Sequence, residues 1–210
     1  LISAEKETNN KEYRTIQASE SFTYKFLKNW SFRNSSGIRY QTRRDEVFFG
    51  DRSIIAKRSS INGSITNRET GSFQTSNVIN YNTKSKGNRY EVMLGQEYVE
   101  RWNRYFKASA SNFPNDDIGL NDLSLGATPG IPQSYADYDD KLLSFFTRFN
   151  FNHKDKYLLT ASMRMDGSSK FGEMKKWGFF PAVSGAWRMS EEEFIKNLNL
   201  FSDLKLRLGY

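Results

Sequence analysis

Cysteine is absent from the 210 residues, which excludes a disulfide framework and leaves the redox compartment open. Long apolar runs are absent too. None approaches the ~18 residues that a membrane-spanning helix needs, and mean hydropathy is -0.72. Helical membrane proteins are thereby excluded, whereas β-barrels escape the test because only alternate residues of a strand meet lipid. Histidine occurs once, as His153, in a polar turn without a serine or cysteine partner in any catalytic pattern. A solvated turn residue is expected there, and with no nucleophile, base and orienting group to assemble, the chain is not expected to be an enzyme. The net charge of +7 comes without a basic helix, zinc-ligand spacing or RNA-binding aromatic motif, so nucleic acid is not an expected partner. Asp137, Asp139 and Asp140 offer oxygen ligands, but no EF-hand glycine or distal glutamate follows, and neither metal nor cofactor is expected. The segment Asp166–Lys170, DGSSK, lacks the spacing of a phosphate-binding loop and precedes a strand, so it reads as the reversal of a hairpin. The first residues, LISAEKETNNKEY, have no basic start, apolar core or small-residue cleavage site.

What the chain has is rings. Seventeen Phe, 11 Tyr and 4 Trp make up 15% of it, among abundant Gly, Ser, Thr and Asn, a mixture that favours strands and loops. The pattern is clearest over 157–190. Leu159, Ala161, Met163 and Met165 share one parity, and Thr160, Ser162, Arg164 and Asp166 the other, which is the period of a strand with one apolar face. After a polar loop, Trp177, Phe179, Pro181, Val183, Trp187 and Met189 again share a parity, opposite Gly178, Ala182, Ser184, Ala186, Arg188 and Ser190, with Phe180 as the large exception. Trp177 and Trp187 are ten residues apart, so a strand tilted by about 45° carries them roughly 24 Å across a layer, close to the ~25 Å apolar band of outer-membrane barrels. Pro181 interrupts this pattern and predicts a bulge or an edge.

About eight strands are predicted: 12–27, 30–44, 76–84, 89–110, 141–152, 157–166, 177–190 and 204–210. Lys28-Asn29, Lys86-Gly87-Asn88 and His153–Lys156 read as tight turns. Two long polar segments, 45–75 and 111–140, read as loops, and Ser190 followed three residues later by Glu193 predicts a capped helix over 190–198. Short joins thus fall on one side of the strands and long ones on the other, the parity of an outer-membrane barrel; only the helical join breaks it. Eight strands also leave two open edges, which lipid does not tolerate. The alternative is a soluble β-rich carbohydrate-binding module, in which the aromatic faces would meet in a core.

Several stretches then resemble the SusC/RagA-type TonB-dependent outer-membrane transporters. They are Phe113–Asp117 (FPNDD), Leu143–Phe146 (LSFF), Lys156–Ala161 (KYLLTA), Asp166–Gly172 (DGSSKFG), Trp177–Pro181 (WGFFP), Ser184–Ser190 (SGAWRMS) and Ser202–Arg207 (SDLKLR). They follow the family's order from about Met93 onward, while residues 1–90 fit by pattern; Met165, Lys170 and Gly185 depart mildly. The resemblance implies an all-β fold, an antiparallel up-and-down transmembrane β-barrel segment supplying eight strands of a 22-stranded barrel. It implies a Gram-negative, Bacteroidetes-like outer membrane, a SusD-like lipoprotein over the mouth, TonB as energy source, and oligosaccharide or peptide as cargo. The family's plug and TonB box precede such strands, and residues 1–12 resemble neither.

Candidate functional residues follow from these readings. Phe113, Asp116, Asp117, Tyr135 and Tyr138 lie in the long loop and are candidates for contact with substrate or lipoprotein. Arg148, Arg164 and Arg188 fall opposite the aromatic parity and are candidates for a basic lumen lining, although pairing with plug or wall carboxylates is the commoner fate of such residues. Tyr157, Trp177 and Trp187 are candidates for the membrane girdle.

Overall fold

A computed structural model describes residues 7–172, 176–198 and 200–210; the side chain of Asp139 also lies outside the described set. Among the described residues nine strands form one sheet: β1 (Glu7–Leu27), β2 (Trp30–Phe49), β3 (Asn62–Ser85), β4 (Asn88–Ser111), β5 (Thr128–Pro129), β6 (Gln133–His153), β7 (Tyr157–Ser168), β8 (Trp177–Arg188) and β9 (Lys205–Gly209). The order is β1-β2-β3-β4-β6-β7-β8-β9, with the two-residue β5 beside β4. Each long strand therefore neighbours the next in sequence, as an up-and-down wall requires, and the eight long strands match the eight expected. Only the joins reach into short helices, α1 (Ile54–Ser59) and α2 (Glu193–Lys196).

The tight turns form where expected. Lys86 and Gly87 close β3–β4 with φ of 48° and 80°, the two left-handed positions of a type I′ hairpin. The turn after β6 is tied to its neighbour, the amide of Lys154 donating to the carbonyl of Gly87 at 2.8 Å, and the β1–β2 turn is tied to β3, the amide of Asn82 donating to the carbonyl of Asn29 at 2.9 Å.

The long loops are shorter than the sequence indicates. Residues 45–75 were expected to be irregular, but β2 continues to Phe49 and β3 begins at Asn62. Likewise 111–140 gives up Gln133–Asp140 to β6. The helical join differs as well. Ser190 does not cap a helix; it lies buried in a 3-10 turn, Met189–Glu191, with its hydroxyl on Asp203 at 3.3 Å, and Glu192 occupies the N-cap of α2 without a side-chain bond. Pro181 makes no bulge, for the β7–β8 register runs unbroken through Met163↔Pro181. Val183 exchanges both backbone bonds with Tyr210, so the amide positions of 183 and 181 face the β9 side. The proline therefore withholds its N–H on the β9 side and leaves the β7–β8 ladder intact.

The described residues fall into two compact units. The unit built from the chain up to Ala18, Ile38–Ser72 and Arg101–Asp139 contains a small apolar cluster, Phe48, Ala110 and Phe113, joined by Ile61, Leu120 and Leu123. The other, Ser19–Gly37, Phe73–Glu100 and Asp140–Tyr210, has no such cluster among its described residues. Its sheet has one aromatic face, and no second layer of the described residues covers it: Trp177 is 46% exposed, Phe179 62% and Val183 47%. A soluble sandwich would bury these three side chains.

Candidate functional site

The β6–β7–β8 register sorts the side chains of the second unit. Phe145, Met165 and Phe179 stand in one row, as do Phe149, Ala161 and Val183; Ser144, Asp166 and Gly178 alternate with them on the other face. The rings on the apolar face form a band next to the tight turns. Trp30 lies 4.8 Å from Tyr81, Tyr90 lies 5.1 Å from Phe151, and Tyr157 stacks on Trp187 at 6.3 Å and 13°. His153 belongs to this band, 6.4 Å from Phe151 and 6.2 Å from Tyr157, with Nδ1 bonded to Asn88 Oδ1 at 2.6 Å. It is therefore a partnered member of the ring band rather than a solvated turn residue. At the far end of β8, Trp177 stacks on Phe145 at 6.3 Å and lies over Gly167, where a Cβ would come within 2.8 Å of its ring. The three girdle candidates thus mark both ends of one apolar face.

Polar residues interrupt that face at one place and satisfy each other. Asn34 Nδ2 donates to Asn77 Oδ1 at 2.7 Å, Asn77 Nδ2 to Gln96 Oε1 at 3.0 Å, and Ser36 and Thr75 share a hydrogen bond of 2.8 Å. Asn34 has the parity of Trp30, Asn77 that of Tyr81, and Gln96 that of Tyr90. Internal pairing is what an apolar surrounding demands of such groups.

The arginine candidates lie on the opposite face, as the parity requires, but differ in what they meet. Arg164 is held by three side-chain hydrogen bonds. Its Nε donates to Asp166 Oδ1 at 2.7 Å, its Nη2 to Glu97 Oε2 at 2.8 Å and to the hydroxyl of fully buried Ser144 at 2.9 Å, and the guanidinium lies 5.5 Å from the Phe146 ring centroid. Gly95 makes room for that ring, since a Cβ there would come within 2.1 Å of it. Arg188 pairs with Glu191 at 3.5 Å. Arg148 stands opposite Ser162 and has no ion pair among the described residues. Two of the three thus meet a carboxylate among the described residues, Arg164 on the strands and Arg188 in the turn after β8.

The loop candidates separate further. Phe113 is not available for contact with a ligand: it is 7% exposed and packs edge-on against Phe48 at 5.6 Å. Asp116 Oδ2 accepts from the Asp51 amide at 3.4 Å, and the Asp117 amide donates to Asn115 Oδ1. Tyr135 and Tyr138 lie on β6 rather than in a loop. Tyr135 stacks on Tyr105 at 5.1 Å with its hydroxyl bonded by Asn103 at 3.1 Å; the Tyr138 hydroxyl accepts from Arg104. Both rings stay open to solvent.

Sequence reasoning missed Glu97 and Glu192, each of which acts on residues far away in the chain. Glu192, in the β8–β9 join, accepts from Lys156 Nζ and the Tyr157 hydroxyl at 2.9 Å each and from Trp187 Nε1 at 3.1 Å. These three donors hold its carboxyl far below the usual range, at about 2.

A one-layer antiparallel sheet, apolar and ring-edged on one side and hydrogen-bonded on the other, is a segment of a transmembrane β-barrel wall. A family model described as TonB dependent receptor-like, beta-barrel matches residues 3–210, and the chain belongs to that family. It is 31% identical to TonB-dependent receptor P39 of Formosa agariphila over 216 residues, covering 100% of this chain and 20% of that protein. It is 48% identical to the TonB-dependent receptor SusC of Bacteroides thetaiotaomicron over 69 residues, 33% of this chain and 7% of that protein. Among solved structures, a chain of the RagAB peptide importer in its closed-closed state superposes with a TM-score of 0.86 at 23% identity, covering 98% of this chain and 23% of that one. The likeness shows the fold. The chain spans about a fifth of the length of the full-coverage curated relative.

Proposed function

We propose that the chain forms eight strands in the wall of a 22-stranded, SusC/RagA-type active transporter of the Gram-negative outer membrane. The transporter draws energy from TonB, works with a SusD-like lipoprotein, and imports peptides or oligosaccharides. The observation that carries this reading is the uncovered apolar face with Trp177 and Trp187 at its two ends. In water such a face is a liability, and in a bilayer it is the contact surface. The names of the relatives support the TonB dependence and a peptide cargo: SusC and P39 are TonB-dependent receptors, and RagAB is a peptide importer. The opposite face fits a polar lumen, with Arg148 free to meet an anionic group and Arg164 given over to the wall.

The test places the full-length receptor in liposomes containing brominated lipid. With other tryptophans replaced by phenylalanine, Trp177 and Trp187 emission should be quenched by bromines near the headgroups more than by bromines at the bilayer centre. Equal and negligible quenching at all depths refutes the membrane reading. Co-purification of a lipoprotein, and uptake that stops when the proton gradient is collapsed, test the partner and the energy source.

A further inference from the structure

A cleft of about 400 Å³ opens in the unit that holds the apolar cluster, a volume within the ~300–1,000 Å³ typical of small-molecule sites. Lys107, Ser109 and Ser111 contribute from β4 at alternate positions, so one strand sets an ammonium and two hydroxyls side by side. Ser64 faces them from β3, and Thr128 and Pro129 of β5 close one side through the pairs Ser111↔Thr128 and Ala110↔Pro129. Val47 and Phe49 supply apolar wall from β2.

Charge decides what this cleft favours. Among the described residues Lys107 is the only charged one in the lining, no carboxylate accompanies it, and it has no ion pair or side-chain hydrogen bond. It is half-buried, unlike a freely solvated surface lysine. The hydroxyls of Ser64, Ser109 and Ser111 are likewise without partners among the described residues, whereas that of Thr128 accepts from Asn112 at 2.7 Å. The floor is rigid: Ala110, between Ser109 and Ser111, is 5% exposed within the Phe48–Phe113 cluster. A cation and several free hydroxyls on a fixed floor, beside apolar wall, form a receptor for one negative charge on a small polar solute.

We propose that this cleft binds the carboxylate of a small solute, with Lys107 as the anchoring cation and Ser109 and Ser111 as hydrogen-bonding partners. The inference rests on the transporter reading for its biological setting and on the cleft for its chemistry. A peptide C-terminus and a uronic-acid sugar both present this carboxylate on a polar body. The cleft recognises what they share.

The experiment titrates the full-length receptor in detergent calorimetrically with four probes: trialanine, trialanine amide, the methyl glycoside of glucuronic acid, and its methyl ester. At least one acid should bind, and its neutral partner should bind about tenfold more weakly or worse. Lys107→Met should weaken the acid by about tenfold or more and leave the neutral probe unchanged, while Lys107→Arg stays within about threefold of the parent. Which acid binds identifies the source of the carboxylate. The site is refuted if neither acid binds, if acid and neutral partner bind alike, or if Lys107→Met changes nothing. The acid-against-neutral comparison needs no variant, so it decides the matter even if Lys107→Met folds poorly. Outer-membrane insertion is scored separately. A receptor that binds acids without inserting keeps the site and loses the transporter reading, and one that inserts but ignores carboxylates does the reverse.

Discussion

Replacing Arg164 by Met removes one cation from between two acids and keeps the length of the side chain. Glu97 on β4 and Asp166 on β7 then remain on one face without their shared donor, and the Ser144 hydroxyl loses its partner. A fully buried pair broken on one side costs about 3–5 kcal/mol and an exposed one about 0–1. The side chains of Arg164, Glu97 and Asp166 are 38%, 35% and 26% exposed, which places the loss between these limits, at roughly 2 kcal/mol. Glu97→Gln should cost roughly 1 kcal/mol, since Arg164 keeps Asp166. The informative quantity is the cycle: the double variant should be more stable than the sum of the singles by about 1 kcal/mol. Urea titration of the full-length receptor in micelles, read from the folded fraction by electrophoresis without boiling, measures all four proteins. Additivity of the two singles, within about 0.3 kcal/mol, would show that the ion pair contributes nothing and that Phe146 packing alone holds β4 to β7.

Phe113→Ala empties the centre of the only apolar cluster among the described residues and should cost about 3 kcal/mol, seen as rapid proteolysis within 112–132 while the membrane-embedded strands stay resistant. Asn77→Leu severs the bonds to Asn34 and Gln96 and should lower stability by about 1–2 kcal/mol, and reversal by the further change Gln96→Leu would show that unsatisfied polar groups are the cause. The carboxyl of Glu192 lies below its ordinary 4.5, at about 2, so its bonds stabilise the fold fully above pH 4.5 and are lost as pH falls toward 2. Trp187 fluorescence should therefore change across that acid range in a variant lacking the other tryptophans, and Glu192→Gln should abolish the change; a pH profile that Glu192→Gln leaves intact refutes the assignment.

Much of the strand pattern was legible because one face of each strand in the second unit is apolar and the other polar. Tyr157, Trp177, Trp187 and the three arginines all take the face their parity assigned. Legibility failed where both parities are polar. Residues 62–75 and 133–140 read as loops because alternation vanishes, yet backbone pairing with neighbouring strands needs no apolar side chains. Phe113 misled for a different reason: its partner Phe48 is 65 positions away, and a ring in a proline-bearing segment carries no mark of the contact that buries it. Glu97 and Glu192 were unreadable on the same ground, since their donors come from other strands. Lys107 reads in the sequence as any other surface lysine, because the cleft it lines is closed by residues from β2, β3 and β5.

The strand order has a consequence for how such a wall changes over evolutionary time. Because every long strand pairs with the one before it, a hairpin is the smallest removable unit, and duplication or loss of one shifts the circumference by two strands without rethreading the rest. Insertions at the far tips leave the ladder untouched, so the segments between β2 and β3 and between β4 and β6 are free to diversify while the scaffold beneath them is inherited intact.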